Sequence, residues 1–131
     1  MAQGRRDYTG GYLIETSSDG RYAESFIKLF AETVVSEGTG RLYTYVIPEG
    51  YRLGLNSICL TTDSGGKNYF TVETADNVII SLWFSDTIQI NFSDRNTLYL
   101  YEGDHIAIDA LNLDEKSYIF RGVLIATLES L

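Results

Sequence analysis

In two stretches of this chain, apolar side chains recur at every second position. Over Thr87 to Phe92 the apolar positions are Ile88, Ile90 and Phe92, and over His105 to Leu111 they are Ile106, Ile108 and Ala110. A period of two places such residues on one face of an extended strand, whereas a helix would need a period near 3.6. These six residues are therefore expected in a core. Runs rich in Tyr, Phe, Val, Ile and Thr fill most of the remaining chain, and turn chemistry interrupts them about every 8–12 residues. The interruptions are Pro48-Glu49-Gly50, Asp63-Ser64-Gly65-Gly66, Ala75-Asp76, Ser93 to Asn96, Glu102-Gly103-Asp104 and Asn112 to Glu115.

The spacing predicts strands over Arg41–Ile47, Tyr51–Thr62, Lys67–Thr74, Asn77–Phe84, Thr87–Phe92, Thr97–Tyr101, His105–Leu111 and Tyr118–Leu128. Within Tyr51–Thr62 the apolar parity switches at Asn56-Ser57, from Leu53 and Leu55 to Ile58 and Leu60. A β-bulge or bend has that effect. The run Phe26 to Val35 fits two readings. Phe26, Leu29, Phe30 and Val34 have helical spacing, but Thr33-Val34-Val35 is β-branched and Gly38 and Gly40 close the segment, which favours a strand. Eight to ten such strands with no convincing helix predict an all-β, antiparallel sandwich or barrel. The immunoglobulin alternative lacks its Cys–Trp–Cys marker, since the chain has one Cys and one Trp.

A length of 131 residues fits one domain. Residues 1–25 read as an extended N-terminal arm and 26–131 as the sandwich domain. The arm carries Gly4, Gly10, Gly11 and Gly20 and buries too little apolar area to order by itself. Tyr12-Leu13-Ile14 could form a short strand within it. Arg5, Arg6, Tyr8 and Tyr12 are its expected contacts with a partner.

Charge narrows the function. Eighteen acidic against ten basic side chains give a net charge of −8, a poor match for phosphate backbones or anionic lipid. Neither nucleic acid nor membrane is expected as a partner. One Cys rules out an internal disulfide, and one His rules out a multi-His metal site. Cys59 lies in an apolar run and His105 beside a turn, with no third group in sequence to make a catalytic set. Asp86, Asp94, Asp104, Asp109, Asp114 and Glu115 are spread through or near loops and read as solvated, without the dense ligand spacing of a calcium loop. No phosphate-binding glycine loop is present. The expectation is a non-enzymatic protein with no cofactor and no metal. The opening residues have no signal-peptide pattern, so synthesis in the cytoplasm is expected.

Ten tyrosines stand out. Tyr43 and Tyr45 share one face of a strand, as do Tyr99 and Tyr101, while Leu42, Val46, Leu98 and Leu100 occupy the alternate positions. Strands with two apolar-to-amphipathic faces are expected where a neighbouring chain covers the outer one. Tyr supplies both apolar area and a hydroxyl for such a contact. These four residues are therefore the candidate subunit interface; a sugar-binding aromatic platform and an ordinary half-exposed sheet are the competing readings.

Two segments, Tyr45-Val46-Ile47-Pro48-Glu49-Gly50-Tyr51-Arg52-Leu53 and Leu98-Tyr99-Leu100-Tyr101-Glu102-Gly103-Asp104-His105-Ile106-Ala107-Ile108, resemble turns of small jelly-roll virion proteins of tailed phages and related viruses. These include head decoration (cement) proteins and head-fibre tips. The resemblance implies a jelly-roll-like sandwich, a homo-oligomer and specifically a homotrimer. It also implies a major capsid or other head protein as partner and residence in the virion. The alternative is a carbohydrate- or receptor-binding β-sandwich module. The turns also have plain structural readings: Pro48 suits a strand end, Gly50 and Gly103 permit positive φ, and Asp104 can accept backbone N–H bonds.

Overall fold

Strands of alternating polarity are stable only when their backbones pair and one face of each is covered. A computed structural model describes residues 5–7, 12–16, 22–75, 77–92 and 98–131. They form eleven strands: β1 (Arg5–Asp7), β2 (Tyr12–Thr16), β3 (Tyr22–Val34), β4 (Gly38–Val46), β5 (Tyr51–Thr62), β6 (Asn68–Thr74), β7 (Asn77–Phe84), β8 (Thr87–Asn91), β9 (Leu98–Tyr101), β10 (His105–Asn112) and β11 (Tyr118–Ser130). Phe26 to Val34 lies within β3, so the ambiguous run is a strand. No helix among the described residues is long and apolar enough to cross a membrane.

All pairings are antiparallel. The larger sheet has the order β1-β2-β3-β11-β5-β8, with β9 pairing the first part of β5, and the smaller has the order β4-β10-β6-β7. The pairs are nested: β3 with β11, β4 with β10, β5 with β8 and β9, and β6 with β7. One long folded hairpin has wrapped around itself, which is the jelly-roll arrangement of two packed sheets. β3 begins at Tyr22, inside the segment read as an arm. Upstream, β2 pairs β3 and β1 pairs β2. Arg5 and Arg6 belong to β1 and Tyr12 to β2. Tyr8, Asp76 and the loop Ser93 to Asn96 lie outside the described residues.

The core lies between the sheets and includes Leu53, Leu55, Ile58, Leu60, Phe70, Val72, Ile106, Ile108, Phe120 and Leu124, all buried. Ile106, Ile108 and Ala110 are buried as expected, because β10 is flanked by β4 and β6. Ile88, Ile90 and Phe92 only pack half-buried against the core. β8 is an edge strand that pairs with β5 alone, so no second neighbour closes over them. The parity switch in β5 is a bulge at Asn56: Ile125 faces Ser57 and Ala126 faces Leu55. The extra residue lets Leu53 and Leu55, and then Ile58 and Leu60, all point inward. Gly122 on β11 allows close packing, since a Cβ there would stand 2.5 Å from the Phe30 ring and 2.6 Å from Leu60.

Candidate interaction surface

The register of the larger sheet fixes what its outer face presents. Residues directly opposite on paired strands point the same way. One row reads Ile27, Ile125, Ser57, Asn91; the next Leu29, Val123, Cys59, Gln89; the next Ala31, Arg121, Thr61, Thr87. Thr33 and Ile119 follow. Leu29 is 82% exposed, and Ile27, Ile119 and Ile125 are exposed as well. Val35, just past β3, is 58% exposed. Across these rows the only charged side chain is Arg121.

β3 is inverted relative to an ordinary surface strand. Its charged residues Glu24, Lys28 and Glu32 face the same side as buried Phe26 and Val34, opposite Leu128, Leu124 and Phe120. They emerge at the margin of the sandwich, where the Lys28 ammonium stands 5.1 Å from the centroid of the Phe26 ring. The outward positions are left to Ile27, Leu29 and Ala31. From Ser25 to Val35 the field is ten residue steps long and three strands wide. At ~3.3 Å per residue and ~4.8 Å per strand, it covers roughly 500 Å². The rectangle includes Ser57, Thr61, Thr33 and Arg121, so its apolar part is smaller. That part has the size of the largest apolar patch on an ordinary monomer, a patch that is often functional.

The tyrosines divide. Tyr99 and Tyr101 lie opposite Gly54 and Arg52, on the same outer face and at one end of it. Their ring centroids are 6.5 Å apart. The Arg52 guanidinium sits 4.2 Å from the centroid of the Tyr99 ring, and its Nε donates to Glu129 Oε1 at 2.7 Å. Burial lowers the Arg52 pKa, but the hydrogen bond and charge of Glu129 outweigh it, so the net direction is upward. The charged pair is thus internally matched. Tyr43 and Tyr45 lie opposite Ile108 and Ile106, on the inner side of β4. Tyr43 stacks on Phe30 at 5.6 Å and Tyr45 packs on Phe26 at 4.6 Å. Burial pushes both phenols above their usual pKa, with Tyr45 adding to the rise at Tyr43, and Glu24 and Tyr51 to that at Tyr45. The four tyrosines do not share one surface.

The two motif turns meet at one end of the sandwich. Ile47 N–H donates to the Asp104 carbonyl at 2.9 Å, and Gly103 N–H donates to the Ile47 carbonyl at 3.1 Å. Gly50 N–H donates to Glu102 Oε1 at 3.2 Å, and Tyr101 N–H to Asp104 Oδ2 at 3.3 Å. Gly50 and Gly103 have φ of 82° and 85°, in the left-handed region that favours glycine. These residues are engaged in closing the fold. Cys59 is half-buried in the apolar field of the larger sheet, while His105 opens β10 in the smaller one. No three His, Cys, Asp or Glu side chains converge as metal ligands among the described residues.

Sequence reasoning missed the apolar field as a surface. Its signal was present: Phe26-Ile27 and Leu29-Phe30-Ala31, and Val123-Leu124-Ile125-Ala126, are apolar at both parities, as expected of strands covered on both faces.

No family model and no curated protein matches the chain. Solved structures with a similar fold include the crystal structure of PirA, which is 17% identical, with 74% of this chain and 92% of that chain covered and a TM-score of 0.52. A structure described under the words Bacillus endospore appendages form a novel family of disulfide-linked pili is 11% identical, with 82% and 87% covered and a TM-score of 0.48. The decameric BFDV capsid protein is 9% identical, with 85% and 99% covered and a TM-score of 0.48. At these identities the likeness is one of fold.

Proposed function

We propose that this protein is a non-enzymatic structural subunit that assembles with copies of itself through the outer face of its larger sheet. The observation that carries the proposal is the exposed field of Ile27, Leu29, Ile119 and Ile125, in which Ser57, Thr61 and Thr33 are neutral and Arg121 is the one charged side chain. Two copies carrying −8 each repel one another, so a contact between them must avoid the acidic surface, and this face does. A field of roughly 500 Å² covered by an equal area of a neighbouring copy buries about 1,000 Å² in total, the lower bound for a specific interface.

The finer form of the proposal is a virion protein, a capsid decoration (cement) or head-associated jelly roll that stabilises the particle as a homotrimer on a major capsid or other head protein. A closed trimer uses two different patches on each copy. The apolar centre of the face and its Tyr99–Tyr101–Arg52 end supply two chemistries. Arg5, Arg6, Tyr8 and Tyr12 of the N-terminal segment are the proposed contacts with the shell.

Light scattering on the intact chain and on Leu29→Lys tests the self-assembly. The intact chain is expected to have a mass above that of a monomer, and the variant to be monomeric with an unchanged melting temperature, because Leu29 makes little contact within its own chain. A monomeric parent across all concentrations contradicts the proposal. The mass of the parent separates a trimer from other copy numbers.

A further inference from the structure

The outer face of the smaller sheet has a different character. Its register sets one stripe of Trp83, Tyr69, Leu111 and Thr39, and beside it a second of Ser81, Thr71, Asp109 and Arg41. Trp83 is 57% exposed. Its ring centroid is 4.7 Å from that of Tyr69, and the two planes meet at 59°. Such a pair is an open angle of aromatic surface and not a closed stack. The Tyr69 hydroxyl is hydrogen-bonded to the Ser81 hydroxyl. Arg41 pairs with Asp109, Nε to Oδ1 and Nη2 to Oδ2. Each ring borders a cleft: Trp83, with Lys67, Phe84 and Ser85, lines one of about 580 Å³, and Tyr69, with Thr71, Asp109, Leu111 and Thr39, lines one of about 180 Å³.

From this arrangement we infer that the outer face of the smaller sheet binds a saccharide, with a pyranose ring lying on Trp83 and Tyr69. A pyranose has a flat face of C–H groups and a rim of hydroxyls. The C–H face gains dispersion contact over an aromatic ring. Each hydroxyl both donates and accepts, so the rim needs mixed partners. The polar stripe and the larger cleft offer them: in the stripe Asp109 accepts, Arg41 donates, and Thr71 and Ser81 do both; at the cleft Lys67 donates and Ser85 does both. A protein interface would instead be depleted of charge at its centre, as the larger sheet's outer face is and this one is not. The larger cleft is open and shallow, with Trp83 on one wall and Lys67 and Ser85 beside it, which suits a ligand that lies on the surface and keeps one side in water. Tyr69 and Trp83 are held against each other before any ligand arrives, so little side-chain entropy is lost on binding.

Trp83 is the sole tryptophan, so emission excited at the red edge of the absorption band, where the ten tyrosines do not absorb, reports on this face. The test titrates the intact chain with methyl glycosides and linear di- and trisaccharides of glucose, galactose, mannose and N-acetylglucosamine, up to ~10 mM. A saturable change in emission with at least one probe is expected. By calorimetry with that probe, Trp83→Ala is expected to abolish binding, and Tyr69→Ala and Asp109→Asn to weaken it about tenfold or more. Trp83 is exposed on an edge strand, so the melting temperature of Trp83→Ala should match the parent. Leu29→Lys should bind as the parent does, which keeps this test independent of the assembly surface. The inference is overturned if no probe gives a saturable change, if binding survives Trp83→Ala, or if Trp83 emission responds to protein concentration and not to sugar, which would make this face a contact between copies.

Discussion

Asn112, Ile108 and Tyr43 illustrate how single side chains hold this sandwich together. Asn112 is fully buried, and its Nδ2 donates to the carbonyls of Val34, Val35 and Lys116 at 3.1, 3.3 and 2.8 Å. Its Oδ1 accepts from Asp114 N–H at 2.9 Å. One amide thus ties the β3–β4 corner to the loop after β10. Asn112→Ala strands the buried Val34 carbonyl, at about 1–3 kcal/mol when unpaired, and removes the part-buried bonds to Val35 and Lys116. The expected loss in chemical denaturation is about 2–4 kcal/mol, with a surface substitution such as Gln89→Ala as the near-neutral control. Ile108→Ala is expected to cost about 2–5 kcal/mol, since Ile108 is fully buried. Ile90→Ala should cost clearly less, because β8 leaves Ile90 half exposed; equal losses would mean that the edge strand is covered. Tyr43 and Tyr45 have folded pKa values raised chiefly by burial. A phenol whose folded pKa exceeds its unfolded value of about 10 favours the fold in its neutral form. That contribution is complete below about pH 10 and is lost as pH rises from there through the raised folded values. Melting temperature should therefore fall on the alkaline side of pH 10, and less steeply in Tyr43→Phe, which has no proton to lose.

At the level of strands, β5 and β7 have the boundaries that the sequence predicts, because turn residues bracket both. The bulge was legible too, since a parity switch inside an apolar run has few other physical causes. The placement of Tyr43 and Tyr45 could not be read from one strand alone. Alternation says that two residues share a face, but only the register with Ile106 and Ile108 says which face is inward. The apolar field of β3 and β11 was obscured for a related reason. Phe26-Ile27-Lys28-Leu29-Phe30 has apolar residues at both parities, and its one lysine lies on the side where a buried face was expected. Charge in a strand marks the margin of a sandwich as readily as its outside, because the long stem of Lys28 reaches past Phe26. The N-terminal segment is a separate matter. β1 and β2 extend the larger sheet beyond β3, and among the described residues three pairs join β2 to β3. Deletion of residues 2–20 is expected to leave the melting transition of the sandwich nearly unchanged and to weaken attachment to a partner. A truncated chain that unfolds would make the hairpin an integral part of the sheet.

For the molecule as a whole, the two outer faces divide the surface chemistry. The larger sheet turns out a nearly uncharged apolar field, and the smaller one an aromatic stripe beside a polar stripe. The core between them accounts for the fold, so neither face is needed to complete it. Each face happens to carry the chain's single reporter of its kind: Cys59 on the larger sheet and Trp83 on the smaller. Cys59 stands in the row of Leu29 and Val123, at the centre of the surface assigned to assembly. The most direct test of that assignment is the rate at which a small thiol reagent labels Cys59 as protein concentration is raised. Assembly through the outer face of the larger sheet predicts a labelling rate that falls with concentration in the parent and stays constant at the fast, dilute value in Leu29→Lys. A rate independent of concentration in a parent that light scattering shows to be assembled would place the contact elsewhere and contradict the account.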